Sequence, residues 1–162
     1  MKLHQPFSAF LLVSLVVVAA CTKDTPPPAP NAQPAKHEHH PPHGGTPVVL
    51  GAEIYHLEFV LDSASGQLSA YVLDGEMENF IRIAAPSFEV VATVGGVKQT
   101  LFFSAVANYA TGEKTGDTSL FATSADWLKT TGTFDATITQ IEIRGTTFSD
   151  VKFNFPKGND PD

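Results

Sequence analysis

Ile54 to Asp74 reads IYHLEFVLDSASGQLSAYVLD, and the alternation in this stretch decides the fold. Tyr55, Leu57, Phe59 and Leu61 fall on one face of an extended chain, with Ile54, His56, Glu58 and Val60 on the other. Asp62 to Gln67 carries turn chemistry, with Gly66 near its end, and Leu68, Ala70 and Val72 then resume the period of two. A helix would need apolar residues every three or four positions. The stretch therefore predicts a β-hairpin.

The same signature continues toward the C-terminus. Strands are predicted over Phe80 to Ala84, Phe88 to Val94, Val97 to Val106, Ser119 to Ala122, Thr133 to Arg144 and Thr147 to Phe155. Gly95-Gly96 reads as a tight hairpin turn, and Gly145-Thr146 marks another. Ser124 to Lys129 alone suggests a helical turn, with Ser124 as its N-cap and Trp127 and Leu128 packing inward. Many short strands without a long helical period indicate an all-β fold, an antiparallel β-sandwich that is immunoglobulin-like in the loose sense. A small barrel is the alternative. Phe102-Phe103 must point to opposite faces of its strand, which leaves one of the pair for the surface or for a covering sheet.

Residues 46–156 form the domain, about 110 residues and enough for one modest core. What precedes it is different. Lys2 followed by the apolar run Phe7 to Ala20 is too short for a span of about 20 residues. Val18-Ala19-Ala20-Cys21 closes this run on the single cysteine of the chain. The motif resembles the lipobox of bacterial lipoproteins. That resemblance implies a leader over residues 1–20, cleavage before Cys21, a diacylglycerol on its sulfur and an acyl group on the new amino terminus. An ordinary secretory signal or an uncleaved anchor are the other readings. Two or more acyl chains give durable anchoring where one does not, so Cys21 would hold the protein to a bilayer. Thr22, where similar lipoproteins retained at the inner membrane carry Asp, implies the outer membrane, facing the periplasm.

Residues 21–45 form the expected tether. Pro26-Pro27-Pro28, Pro30, Pro34 and Pro41-Pro42 favour extended polyproline II, at about 3 Å per residue. Residues 157–162 are expected as a disordered tail. The whole chain has 10 Lys and Arg against 17 Asp and Glu, a net charge of −7, and loss of the leader removes only Lys2, taking this to −8. Such a chain lacks the cations that neutralise phosphate, which argues against a nucleic-acid partner.

Five of the six histidines lie between Lys36 and Glu58. Histidine is the commonest metal ligand, and a flexible cluster such as His37, His39 and His40 chelates Cu²⁺ or Zn²⁺ with little discrimination. His56 and Glu58, two apart on a strand, point the same way about 7 Å apart and are able to converge on one ion. Glycines 44 and 45 let the backbone bend so that His43 folds back beside them. Asp74 joins this group only if the strand twists at its end, because alternation puts it on the opposite face. The predicted metal ligands are therefore His43, His56, Glu58 and Asp74, with His37, His39 and His40 as accessories and Cu or Zn as the ion. Met77 offers a thioether for Cu(I), while Glu76 and Glu78 read as an exposed acidic loop.

The run H-G-G-x-x-V-x-L-G-x-x-x-Y-H-L-E-x-V-x-D from His43, followed by G-x-L-x-A-Y-V-L-D ending at Asp74, resembles a small β module of bacterial envelope proteins. Similar modules sit beside the periplasmic adaptor subunits of heavy-metal efflux pumps. The resemblance covers less than a third of the chain after the leader. It implies a periplasmic, metal-linked role and an envelope or efflux protein as partner, carried by His43, Gly44, Gly45, His56, Glu58 and Asp74.

No G-x-S-x-G, nucleophile–base pair, Walker or dinucleotide fingerprint occurs, so the expectation is a protein that is not an enzyme. A non-catalytic interaction module of the envelope, without metal, is the second functional reading.

Overall fold

The computed structural model describes residues 39–160. The predicted leader, Cys21 and His37 lie outside them. Among the described residues no helix is long and apolar enough to cross a membrane.

Eight antiparallel strands make up the domain: β1 (Thr46–Leu50), β2 (Tyr55–Asp62), β3 (Gln67–Asp74), β4 (Ser87–Val94), β5 (Val97–Ala105), β6 (Leu120–Ser124), β7 (Phe134–Ile143) and β8 (Thr146–Phe155). The all-β antiparallel class is the one the alternation predicts. The strands hydrogen-bond in a single sheet, in the order β1-β2-β3-β6-β5-β4-β7-β8. β1 to β3 form a meander. The chain then crosses over two strand positions to β4, fills the gap backwards through β5 and β6, and crosses again to β7.

The sheet curls until its two edges approach each other. After Phe155 the chain doubles back, with Asn154 and Gly158 exchanging backbone hydrogen bonds of 3.0 and 2.7 Å. The returning residues lie against β1. The side-chain amide of Asn159 accepts from the Val49 N–H at 2.7 Å and donates to the Val49 carbonyl at 3.1 Å, while the Thr46 hydroxyl donates to the Pro156 carbonyl. An open edge exposes unpaired N–H and C=O groups that template aggregation. Here one amide side chain satisfies both groups of Val49 and closes the seam. Lys157 to Asp160, expected within a disordered tail, thus belong to the packed structure.

The interior holds alternating residues of the strands, among them Val48, Leu57, Phe59, Val72, Val90 and Phe103, with the phase changing in β7 between Ile138 and Ile141 and in β8 between Phe148 and Phe153. Phe88 stacks on Phe103 at 4.9 Å between ring centroids, and Phe59 on Phe153 at the same distance. Such offset aromatic pairs add to the burial of their large apolar area.

Local differences from the sequence reading have identifiable causes. Phe80 to Ala84 makes only isolated bridges, from Phe80 to Leu73 and from Ile83 to Thr118, because this segment is the crossover from β3 to β4. The helical turn is a 3₁₀ turn over Asp126–Lys129, preceded by Ala125 without a side-chain cap, so Ser124 is the last residue of β6. Leu128 is buried as expected. The Gly95-Gly96 turn has positive φ at both residues (56° and 82°), matching the twist of the strands it joins. The last hairpin turns on Arg144 and Gly145, one residue earlier than expected.

Candidate functional site

β2 is buried on both faces. Leu57 and Phe59 point inward, yet His56 and Glu58, on the outward face, are also 0% exposed. Their cover comes from two segments laid over the outside of the sheet. One is His39 to Gly45, ahead of the expected domain boundary; the other is the excursion from Gly75 to Phe80. Leu73, which pairs with His56 and shares its face, and Met77 are buried too, although neither belongs to the interior cluster.

Glu58 fastens the first segment. Its carboxylate accepts from the His43 N–H at 2.7 Å, the Gly45 N–H at 2.9 Å and the His43 Nδ1–H at 2.8 Å. The glycines make this possible. Gly44 adopts φ +66° where the chain turns, and a Cβ on Gly45 would sit 2.5 Å from the Phe59 carbonyl oxygen. His43 then stacks on Tyr71 at 3.9 Å, with Phe80 tilted beside both rings. Burial raises the pKa of the Tyr71 hydroxyl, and the neighbouring Glu58 carboxylate adds to the shift. His43 and Glu58 are therefore brought together as the sequence predicted, and they bond to each other.

His56 has a different environment. Its Nδ1 lies 3.2 Å from the Asp74 carbonyl oxygen, which only accepts, so Nδ1 carries the proton. In the neutral ring Nε2 is then a bare lone pair. Burial lowers the His56 pKa below 6.5 and keeps the ring neutral at pH 7; the nearby His39 acts in the same direction, while the bond to Asp74 and the charges of Glu53 and Asp160 oppose it. That Nε2 is buried without a hydrogen-bond partner. So is Nε2 of His39, whose ring lies 4.4 Å from that of His56 at an interplanar angle of 49°. Two rings, each with an orphaned Nε2, thus lie against each other where the N-terminal segment covers β2. An unmade hydrogen bond at a buried polar atom costs about 1–3 kcal/mol, which makes such a pair a place to look for a ligand.

Asp74 contributes its main chain to this site. Its carboxylate binds the Glu78 and Asn79 N–H groups and the Asn79 amide, and these bonds hold it ionised against the opposing effect of its partial burial. The side chain is committed to the turn that buries Met77 between the exposed Glu76 and Glu78. Among the described residues no three His, Cys, Asp or Glu side chains converge closely enough to hold a metal. Of the accessory histidines, His39 packs on His56, His40 is exposed, and His37 lies outside the described residues.

Sequence reasoning missed the docking of His39 on His56. One signal was present for the covering layer. Leu73 and Tyr71 continue the outward face of the hairpin as large apolar groups, which predicts that something lies over it. No family model, curated protein or solved structure matches the chain.

Proposed function

We propose that this protein is a lipid-anchored metal-binding module of the bacterial envelope that takes a copper or zinc ion between His39 and His56. The observation that carries the reading is the buried, unpartnered Nε2 of His56, held in the ligand tautomer by its Nδ1–H bond to the Asp74 carbonyl. Metal-bound histidines characteristically donate their other ring N–H to a carbonyl or carboxylate in this way. Two imidazoles bound tetrahedrally through Zn–N bonds of about 2.0 Å place their ring centroids about 5 Å apart. The two ring centroids lie 4.4 Å apart. The acidic net charge favours a cation. The anchor at Cys21, the outer-membrane location and a handling role in envelope metal homeostasis belong to the same proposal and rest on the leader sequence and the HGG…YHLE resemblance.

The test is a thermal melt of the purified protein with added Zn²⁺ or Cu²⁺, wild type beside His39→Ala and His56→Ala. A ligand that binds only the native state at a hundred times its Kd stabilises it by about 2.7 kcal/mol. A rise in Tm that both substitutions abolish is the expected result. An unchanged Tm in the wild type would rule the reading out.

One observation favours the second reading, an interaction module without metal. Phe102 stands on the outer face of β5 at 63% exposure, while its neighbour Phe103 is fully buried. A crosslink formed from a residue beside Phe102 to another envelope protein, together with an indifferent melt, would favour that role.

A further inference from the structure

β4 and β7 lie side by side only as far as Glu89 and Gln140. Beyond that pair Ile141 to Ile143 are paired with β8 alone, and Ser87 and Phe88 with β5 alone. The sheet is forked at this end. One prong is the crossover leading into β4, the other the β7–β8 turn. Between them is a cleft of about 480 Å³, within the range of ligand sites, with Arg82 to Ala85 on one wall and Glu142, Arg144 and Gly145 on the other.

The crossover wall is a strand edge. Phe80, Arg82 and Ala84 are exposed while Ile81 and Ile83 are buried, the period of an extended chain. The Ile81 N–H donates to the Val72 carbonyl at 2.8 Å, and Ile83 exchanges hydrogen bonds of 2.9 and 3.3 Å with Thr118. Successive residues of an extended chain turn their backbone groups to opposite sides, so those of Arg82 and Ala84 face away from these partners. They make no backbone hydrogen bond among the described residues. Unpaired edges of this kind template pairing with another chain, and extended peptides bind by adding a strand to them.

The charges at the cleft narrow what fits it. Arg82 and Arg144 are the two arginines of the chain. Arg82 is committed, its guanidinium donating to the Thr111 carbonyl and to Asp117. Arg144 has no carboxylate within salt-bridge distance among the described residues. It also sits at φ +48°, in the left-handed region that Asn and Gly adopt more readily at such a turn. Turn chemistry therefore gives no reason for arginine here, and residues held in such conformations cluster at ligand sites.

We propose that the fork binds an extended, acidic peptide segment of another protein, which adds a short strand along Arg82 to Ala84 and sets one carboxylate against Arg144. The carboxylate follows from the uncommitted guanidinium beside the open edge, a cation in a chain of net charge −7. Glu142 on the same wall opposes a second negative charge. The proposal is independent of metal at His39 and His56. It gives the interaction reading a surface other than Phe102.

The experiment follows the ¹⁵N-labelled full chain in detergent during titration with the probe acetyl-TVEVT-amide. Saturable shifts at the Arg82 and Ala84 amides, with a Kd of about 1 mM or below, and slower hydrogen exchange at both, are expected. Replacing the probe's glutamate by lysine should weaken binding by about tenfold. Of two probes N-methylated at alternate residues, the one whose pairing amides are blocked should lose binding. Arg144→Asn suits the turn, so its Tm should equal or exceed that of the wild type while the Kd rises about fivefold. No saturable binding up to about 5 mM overturns the proposal. So do lysine and N-methylated probes that all bind like the parent, an unchanged Kd in Arg144→Asn, or shifts centred on Phe102 instead of the fork.

Discussion

The two faces of β2 are equally inaccessible and chemically opposite. Leu57 and Phe59 look into the barrel-like interior; His56 and Glu58 look outward and are covered just as completely. The inward pair needs only apolar neighbours of the right volume, and burial there is stabilising wherever packing is close. The outward pair needs partners of the right polarity, because a buried polar group without one is costly. Glu58 has three donors. His56 has one acceptor and one vacant lone pair. The difference separates a face that stabilises from a face that has chemistry left over.

Substitutions measure that contrast. Phe103→Ala, in the stacked interior cluster, should have the largest effect, a loss of about 3–5 kcal/mol in denaturant unfolding. Glu58→Ala leaves the His43 and Gly45 N–H groups without their acceptor and should cost about 2 kcal/mol. It should also speed hydrogen exchange and proteolysis at His39 to Gly45 while β7 and β8 stay protected. If the segment stays protected in that variant, Glu58 does not fasten it.

The next effect is one of pH, in metal-free protein. The folded pKa of His56 lies below its unfolded value of about 6.5, so above that value the group is neutral in both states and adds no pH dependence. As the pH falls below 6.5 the unfolded chain takes up a proton that the folded one refuses. Stability should then decline, by at most about 1.4 kcal/mol per pH unit from this group, until the folded pKa is reached. His56→Leu should flatten that part of the stability–pH curve, and a curve identical to wild type would show that the ring is not held neutral. Smallest of all is Phe102→Ala. At an exposed site it should change stability by no more than about 0.5 kcal/mol, in contrast to its neighbour Phe103.

Much of this was legible in the chain. The period of two in β2 and β3 fixed which of their residues face inward, because side-chain direction in a strand is set by the backbone; in β7 and β8 the inward phase changes, between Ile138 and Ile141 and between Phe148 and Phe153. Gly95-Gly96 announced its turn for the same local reason. The approach of His43 to Glu58 was legible, since two glycines permit the fold-back; that the two bond to each other was not. The predicted four-ligand group was not assembled, because Asp74 uses its side chain for the nearest N–H groups and offers His56 only its carbonyl. Local hydrogen bonds won that competition, and alternation says nothing about it.

By itself the sequence determined most of the strands, the inward residues of the β2–β3 hairpin and the chemical type of each outward residue, all consequences of covalent geometry and side-chain preference over a few neighbours. Only the tertiary structure decided that the strands form one curled sheet, that Asn159 closes its seam against Val49, and that His39 covers His56. Each of those contacts joins residues that are far apart along the chain. Their formation depends on where the whole sheet brings its edges, and no local pattern carries that information.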